Sequence, residues 1–144
     1  MAQISPVHSP CYCVNFRRAA NLLTKHYDGA FAQIHLTGNQ FFLLNSLSQL
    51  GACNKSELAQ YTRLDRTTII RNLNVLLKKG FIQEAPGENR RNKVIRLSKT
   101  GETAVAEGAE IWTCLQAEAH QVFGEENIPV LWQLFERIES FDQP

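Results

Sequence analysis

Residues 54–80, NKSELAQYTRLDRTTIIRNLNVLLKKG, decide how the rest of the 144-residue chain is read. Asn54, followed three residues later by Glu57, has the pattern of a capping box and starts a short helix carrying Leu58, Ala59 and Tyr61. Thr62 to Leu64 form a turn. Asp65 is then a good N-cap for a second helix that ends at Gly80, a residue able to adopt the left-handed backbone of a helix terminus. Within that helix Ile69, Leu73, Leu76 and Leu77 fall inside an arc of about 100° at 3.6 residues per turn, which defines a buried side. Opposite them stand Thr67, Arg71, Asn74 and Lys78. These side chains have the reach and polarity to read base edges in a major groove, Arg against guanine, Asn against adenine and Thr against either a base edge or a methyl group. Arg66, Thr67 and Thr68 occupy the first turn, where backbone N–H groups and the helix dipole favour a phosphate. A polar outer face is also what any amphipathic surface helix shows, so the neighbouring segments must separate the two readings.

The segment that follows is informative. Phe81 to Ala85 and Lys93 to Leu97 are β-compatible stretches separated by Pro86-Gly87-Glu88-Asn89-Arg90-Arg91-Asn92, which predicts a hairpin with a basic tip. Helix, turn, helix and basic hairpin in that order spell a winged helix-turn-helix. Arg90 and Arg91 reach a minor groove from such a tip, and Lys93, Arg96 and Lys99 then follow the backbone.

Charge is distributed to match. From Lys55 to Lys99 there are eleven Lys and Arg against four acids, whereas from Glu102 onward nine acids face a single base, Arg137. The net charge of +1 conceals this division. A basic middle and an acidic end imply one surface that meets a polyanion, double-stranded DNA in this case, and another that faces away from it. A winged helix can instead serve protein contacts, but such a module has little reason to concentrate Arg and Lys on the helix and the tip.

On either side lie long helices. The first runs from about Pro10 to Phe31 with Cys13, Phe16, Ala20, Leu23 and Tyr27 as an apolar stripe, and Thr37-Gly38-Asn39 breaks the chain before a core helix from Gln40 to Leu50. After Leu97, Ser98 caps a long helix reaching about Phe123, Gly124 stops it, and Pro129 opens a last helix with Leu131, Leu134, Phe135, Ile138 and Phe141 on one side. The expected fold is mainly α with a small β-hairpin. We read one domain over residues 1–144, with a winged-helix lobe at about 36–99 and long N- and C-terminal dimerisation helices at about 1–35 and 100–144. The terminal helices carry more apolar surface than a lone chain uses, which predicts a homodimer.

These motifs resemble the MarR family of winged-helix transcription regulators over nearly the whole chain. The resemblance rests on Ser56-Glu57-Leu58-Ala59, on Leu64 to Leu73, on Leu77-Lys78-Lys79-Gly80-Phe81-Ile82, and on Arg90-Arg91 ahead of Val94 to Gly101. It implies an obligate dimer held by the terminal helices, a recognition helix from Asp65 to Lys79, a groove-entering wing arginine at Arg91, and a small-molecule effector pocket between the lobe and the dimerisation helices. Members usually carry Asp-x-Arg at the wing; here Asn89 stands where Asp would be and supplies no charge to orient the arginine.

Cys11-Tyr12-Cys13 is the reactive candidate for a sensor. It resembles the organic-hydroperoxide-sensing branch of the family in one respect: Cys13 sits near the start of the first helix, and Thr24-Lys25-His26-Tyr27 looks like the segment carrying a tyrosine partner. A second expected tyrosine is replaced by Arg17. A thiol senses oxidants when its thiolate is favoured and reachable, and a helix N-terminus with Arg17 one turn along supplies positive potential. Because Cys13 lies on the apolar stripe, it also reads as a small buried hydrophobe. A metal held by Cys11, Cys13 and His8 or His26 lacks a complete ligand set, so no metal or cofactor is expected.

No enzyme is implied. The chain has no Gly-rich phosphate loop, no nucleophile with a positioned base and no HExxH, and Glu125-Glu126 read as helix N-terminal charges. It has no run of about 20 apolar residues and no charged start of a secretory signal, so a soluble, cytoplasmic protein is expected, with its four cysteines as thiols.

Overall fold

The computed structural model describes residues 8–89 and 91–143, and the chain divides into two compact units, Met1–Gly108 and Ala109–Pro144. Among the described residues there are six α-helices and one two-stranded antiparallel sheet. They follow in the order α1 (Tyr12–Phe31), α2 (Gly38–Leu50), α3 (Lys55–Thr62), α4 (Arg66–Lys78), β1 (Ile82–Pro86), β2 (Lys93–Leu97), α5 (Lys99–Phe123) and α6 (Ile128–Glu139), with short 3-10 turns at Ala32–Ile34, Glu125–Asn127 and Ser140–Asp142. No helix among them is long and apolar enough to cross a membrane.

The first unit closes around Leu43, Leu44 and Leu47 of α2, Leu58 of α3, Ile69, Leu73 and Leu76 of α4, and Ile95 of β2, all 2% exposed or less. Phe31 at the end of α1 stacks on Phe41 with ring centres 4.6 Å apart. Gly108 on α5 is required beside that pair, since a Cβ there would lie 2.3 Å from the Phe41 ring. The α1–α2 corner is held by the Gly38 N–H donating to Asp28 Oδ1 at 2.8 Å.

Helix boundaries differ from the periodicity in three places. α2 begins at Gly38 instead of Gln40, because Thr37 is an N-cap: its hydroxyl accepts from the Gln40 N–H and Gln40 Oε1 accepts from the Thr37 N–H. α4 ends at Lys78, and Gly80 lies beyond it with φ +81°, as its placement after the helix anticipates. α3 runs through Thr62, expected in the turn, and is closed by Arg63, a non-glycine residue in the left-handed region.

β1 pairs with β2 from Ile82↔Leu97 to Pro86↔Lys93. The first strand therefore starts one residue later than expected; Phe81 is buried against the core instead of pairing. A third, one-residue strand completes the hairpin's base: the Cys53 N–H donates to the Ile95 carbonyl at 3.1 Å and the Ile95 N–H to the Cys53 carbonyl at 2.7 Å. Ser98 then locks the hairpin to both helices beside it. Its hydroxyl donates to the Gly80 carbonyl at 2.6 Å and accepts from the Gly101 N–H at 3.1 Å, capping α5.

Leu73 is buried and Asn74 exposed on α4, so truncating them has very different costs. Leu73→Ala should lower the free energy of unfolding in urea by about 2–5 kcal/mol. Asn74→Ala should change it by no more than about 0.5 kcal/mol.

Candidate nucleic-acid interface

α4 is 13 residues long and so spans about 20 Å. Its inner face is the stripe of Ile69, Leu73 and Leu76, while Leu77, expected in the same arc, is half-buried at the margin. Burying that stripe leaves Thr67, Arg71, Asn74 and Lys78 exposed in a row along the opposite side, with Arg66 exposed in the first turn. Lys79, the adjacent cation, is turned elsewhere: its Nζ donates to the His35 carbonyl at 2.9 Å and ties the end of α4 to the α1–α2 corner.

The first turn is organised by Asp65. Its Oδ2 accepts the Thr68 N–H at 2.9 Å, and its Oδ1 accepts the Thr68 hydroxyl. These bonds, the hydroxyl's foremost, hold the Asp65 carboxyl below its usual 3.8, with a smaller pull from Arg71. The start of α4 is thus already capped by a carboxylate. Thr68 is half-buried beside it, with its hydroxyl already donating to Asp65, whereas Arg66 and Thr67 are exposed.

At the wing, the Asn92 N–H donates to the Asn89 carbonyl at 2.9 Å and the Gly87 N–H to the Asn92 carbonyl at 2.7 Å, closing the tip. Arg91 is exposed on this turn, and Arg90 lies outside the described residues. Lys93 is exposed and forms a surface ion pair with Glu84 across the hairpin at 3.6 Å. A pair this exposed is worth little, so Lys93 stays available to an anion.

The sequence reading missed Cys53 as the residue that ties β2 to the lobe, and a one-residue strand leaves no periodic signal by which to find it. Burial pushes its thiol up, and Glu57 adds to the effect. Beside it an open groove of about 460 Å³ is lined by Leu50, Ala52, Cys53, Glu57, Gln60 and Tyr61. It belongs to the end of α2, the link after it and α3.

Cys11 and Cys13 are both exposed at the start of α1, Cys11 as the N-cap residue, so within one chain Cys13 is not the buried hydrophobe its place in the stripe suggests. Tyr27 is half-buried fourteen positions further along the same helix, about 21 Å by axial rise, and cannot touch Cys13 of its own chain. Among the described residues no three His, Cys, Asp or Glu side chains are grouped to hold a metal ion. Glu125 pairs with His120, Oε1 to Nδ1 at 2.9 Å, in the short 3-10 turn after Gly124.

Comparison with known proteins places this geometry. The MarR family model matches residues 36–93, the segment that holds α2, α3, α4 and β1 and ends at the first residue of β2. The transcriptional regulator MosR of M. tuberculosis, solved in complex with DNA, is 33% identical, with a TM-score of 0.71 over 89% of this chain and 98% of that one. A mutant MarR of E. coli complexed with operator DNA shares the fold at 17% identity, with a TM-score of 0.72 over 88% of this chain and 94% of that one. An HTH-type transcriptional regulator of Bacillus subtilis, YwoH, is 26% identical over 85 residues, and the match spans 59% of this chain and 62% of that protein's length.

The Asp65 cap makes a signed prediction for pH. Its carboxyl titrates lower in the folded chain than in the unfolded one, so the ionised cap stabilises the fold fully above pH 3.8 and loses that contribution as the pH falls through the lower, folded value. The thermal midpoint of the wild type should therefore exceed that of Asp65→Ala at pH 7, and the gap should close as the pH is taken below the carboxylate range. A gap that stays constant down to pH 3 contradicts the cap's role.

Proposed function

The chain belongs to the MarR family of transcriptional regulators, and from that premise we infer that it binds double-stranded DNA as a homodimer, with α4 in the major groove and the hairpin as a wing. The observation that carries this reading is the row Thr67, Arg71, Asn74 and Lys78, exposed along α4 while the helix's other side is fixed in the core by Ile69, Leu73 and Leu76. Arg71 and Asn74 are assigned to base edges, Thr67 to a base edge or methyl group, and Arg66 and Lys78 to the flanking phosphates. Arg90 and Arg91 are assigned to the minor groove, with Lys93 behind them on the backbone.

The lobe at about 36–99 reads the DNA, and about 1–35 with 100–144 hold two copies together. Support for the second part comes from each unit taken separately. α1 leaves Tyr12 82% and Leu22 69% exposed, and α6 leaves Trp132 61% exposed with Phe141 beyond it at 91%, areas that a second copy would cover. A two-fold dimer reads a pseudo-palindrome whose half-sites lie about one helical turn apart. The protein then acts in the cytoplasm as a repressor released by an effector, either a small ligand or an oxidant. Two exposed thiols at the start of α1 support the oxidant, and a contact of Cys13 with Tyr27 would need the second copy.

Three outcomes test this function. Binding to a duplex recovered from a random pool should weaken with salt along a log–log slope of about −0.9 per phosphate contacted. Salt-insensitive binding, or retention of a polypeptide instead of a duplex, would favour a protein-contact module. Arg91→Ala should lower affinity for most duplexes alike, whereas Arg71→Ala should also change which sequences are selected, with a cost of about 1–3 kcal/mol on the preferred site. Treatment with an organic hydroperoxide should release the wild type from DNA but not Cys13→Ser; equal release of both removes Cys13 from the sensor.

A further inference from the structure

A threonine hydroxyl has one hydrogen to give and two lone pairs to offer, so whichever partner takes the hydrogen decides what the group can still recognise. Thr67 and Thr68 are neighbours in the first turn of α4, the turn that contacts base edges when such a helix enters a major groove. They differ in this respect. Thr67 is exposed and its hydroxyl is held by no bond among the described residues, whereas the Thr68 hydroxyl donates to Asp65 Oδ1. The Asp65 carboxylate also takes the Thr68 N–H, and an ionised carboxylate has no hydrogen of its own to return. Thr68 and Asp65 together therefore present only acceptors to whatever approaches the start of the helix.

We propose that the Asp65–Thr68 pair is a specificity element that reads an exocyclic amino group, so that the base facing the first turn of α4 in each half-site is adenine or cytosine. In the major groove adenine offers its N6 amino group and cytosine its N4 amino group, whereas guanine and thymine offer only acceptors there. A phosphate is excluded at the same spot because it too can only accept. Asp65 acts here as a positioning residue, through the hydroxyl that it orients, and Thr68 makes the contact. The inference rests on the DNA-binding reading above.

The test is recovery of binding sites from a random duplex pool by the wild type, Thr68→Val and Asp65→Asn, at one salt concentration. Asn is as good an N-cap as Asp, so Asp65→Asn should fold, which its thermal midpoint checks. Its amide can donate to the Thr68 oxygen and release the hydroxyl hydrogen. The wild type should favour adenine or cytosine at one position of each half-site by about 5-fold or more, the discrimination typical of a single mismatched pair. Thr68→Val should select the same site with that one preference reduced to near parity, and Asp65→Asn should move it to guanine or thymine on the same strand. Uniform loss of affinity without a change of base at that position, in either variant, overturns the proposal while leaving DNA binding intact. Failure of the wild type to enrich any duplex overturns the DNA reading itself, and this proposal with it. If Asp65→Asn does not fold, Thr68→Val alone decides.

Discussion

The rotation of α4 about its own axis is set by three side chains, Ile69, Leu73 and Leu76, each 1% exposed or less. Burying three residues at helical spacing leaves the helix one way to sit, and a turn of about 100° to either side would carry Arg71 or Asn74 toward the core. Everything assigned to the polar face depends on that constraint. A close-packed core resists such a turn because it would open voids against α2 and α3 and bury charge without a partner. The helix is also pinned at both ends, by the Asp65 cap at its start and by the Lys79 bond to the His35 carbonyl after its last turn.

The hairpin is anchored through the same elements. Cys53 holds β2 from the side of α3, and Ser98 joins Gly80, two residues past α4, to the first turn of α5, with the Ser98 N–H donating to the Phe81 carbonyl at 3.0 Å. A Cβ at Gly101 would fall 2.0 Å from that carbonyl, so only glycine allows α5 to start this close to the hairpin. A rigid base with a short turn at its tip is what a wing needs: the exposed Arg91 can adapt to a groove while the strands keep its distance from α4.

Much of this was legible in the sequence, for reasons that can be stated residue by residue. The arc from Ile69 to Leu76, the Asn54–Glu57 capping box, Asp65 as N-cap and Gly80 past the helix all express local rules that act within one or two turns. What escaped depends on partners distant in sequence or on hydrogen-bond direction. Thr37-Gly38-Asn39 reads as a break, yet Thr37 and Gln40 cap one another and the helix starts at Gly38. Lys78 and Lys79 are indistinguishable by composition, but only the second meets a carbonyl 44 residues away. Thr67 and Thr68 likewise look alike until the Asp65 carboxylate is placed. The apolar stripe of α1 is legible as amphipathic, whereas the exposure of Cys13 in the single chain is a matter of which surfaces are covered, and periodicity does not supply that.

The proposed function requires that the outward row of α4 lie against DNA. A photo-cross-linking amino acid placed singly at Asn74 on α4, or at Glu136 on α6, and irradiated with an enriched duplex bound, tests it most directly. A protein–DNA adduct is expected from position 74, mapping within a half-site, and none from position 136. An adduct from 136 with none from 74, while the duplex remains bound, would contradict it.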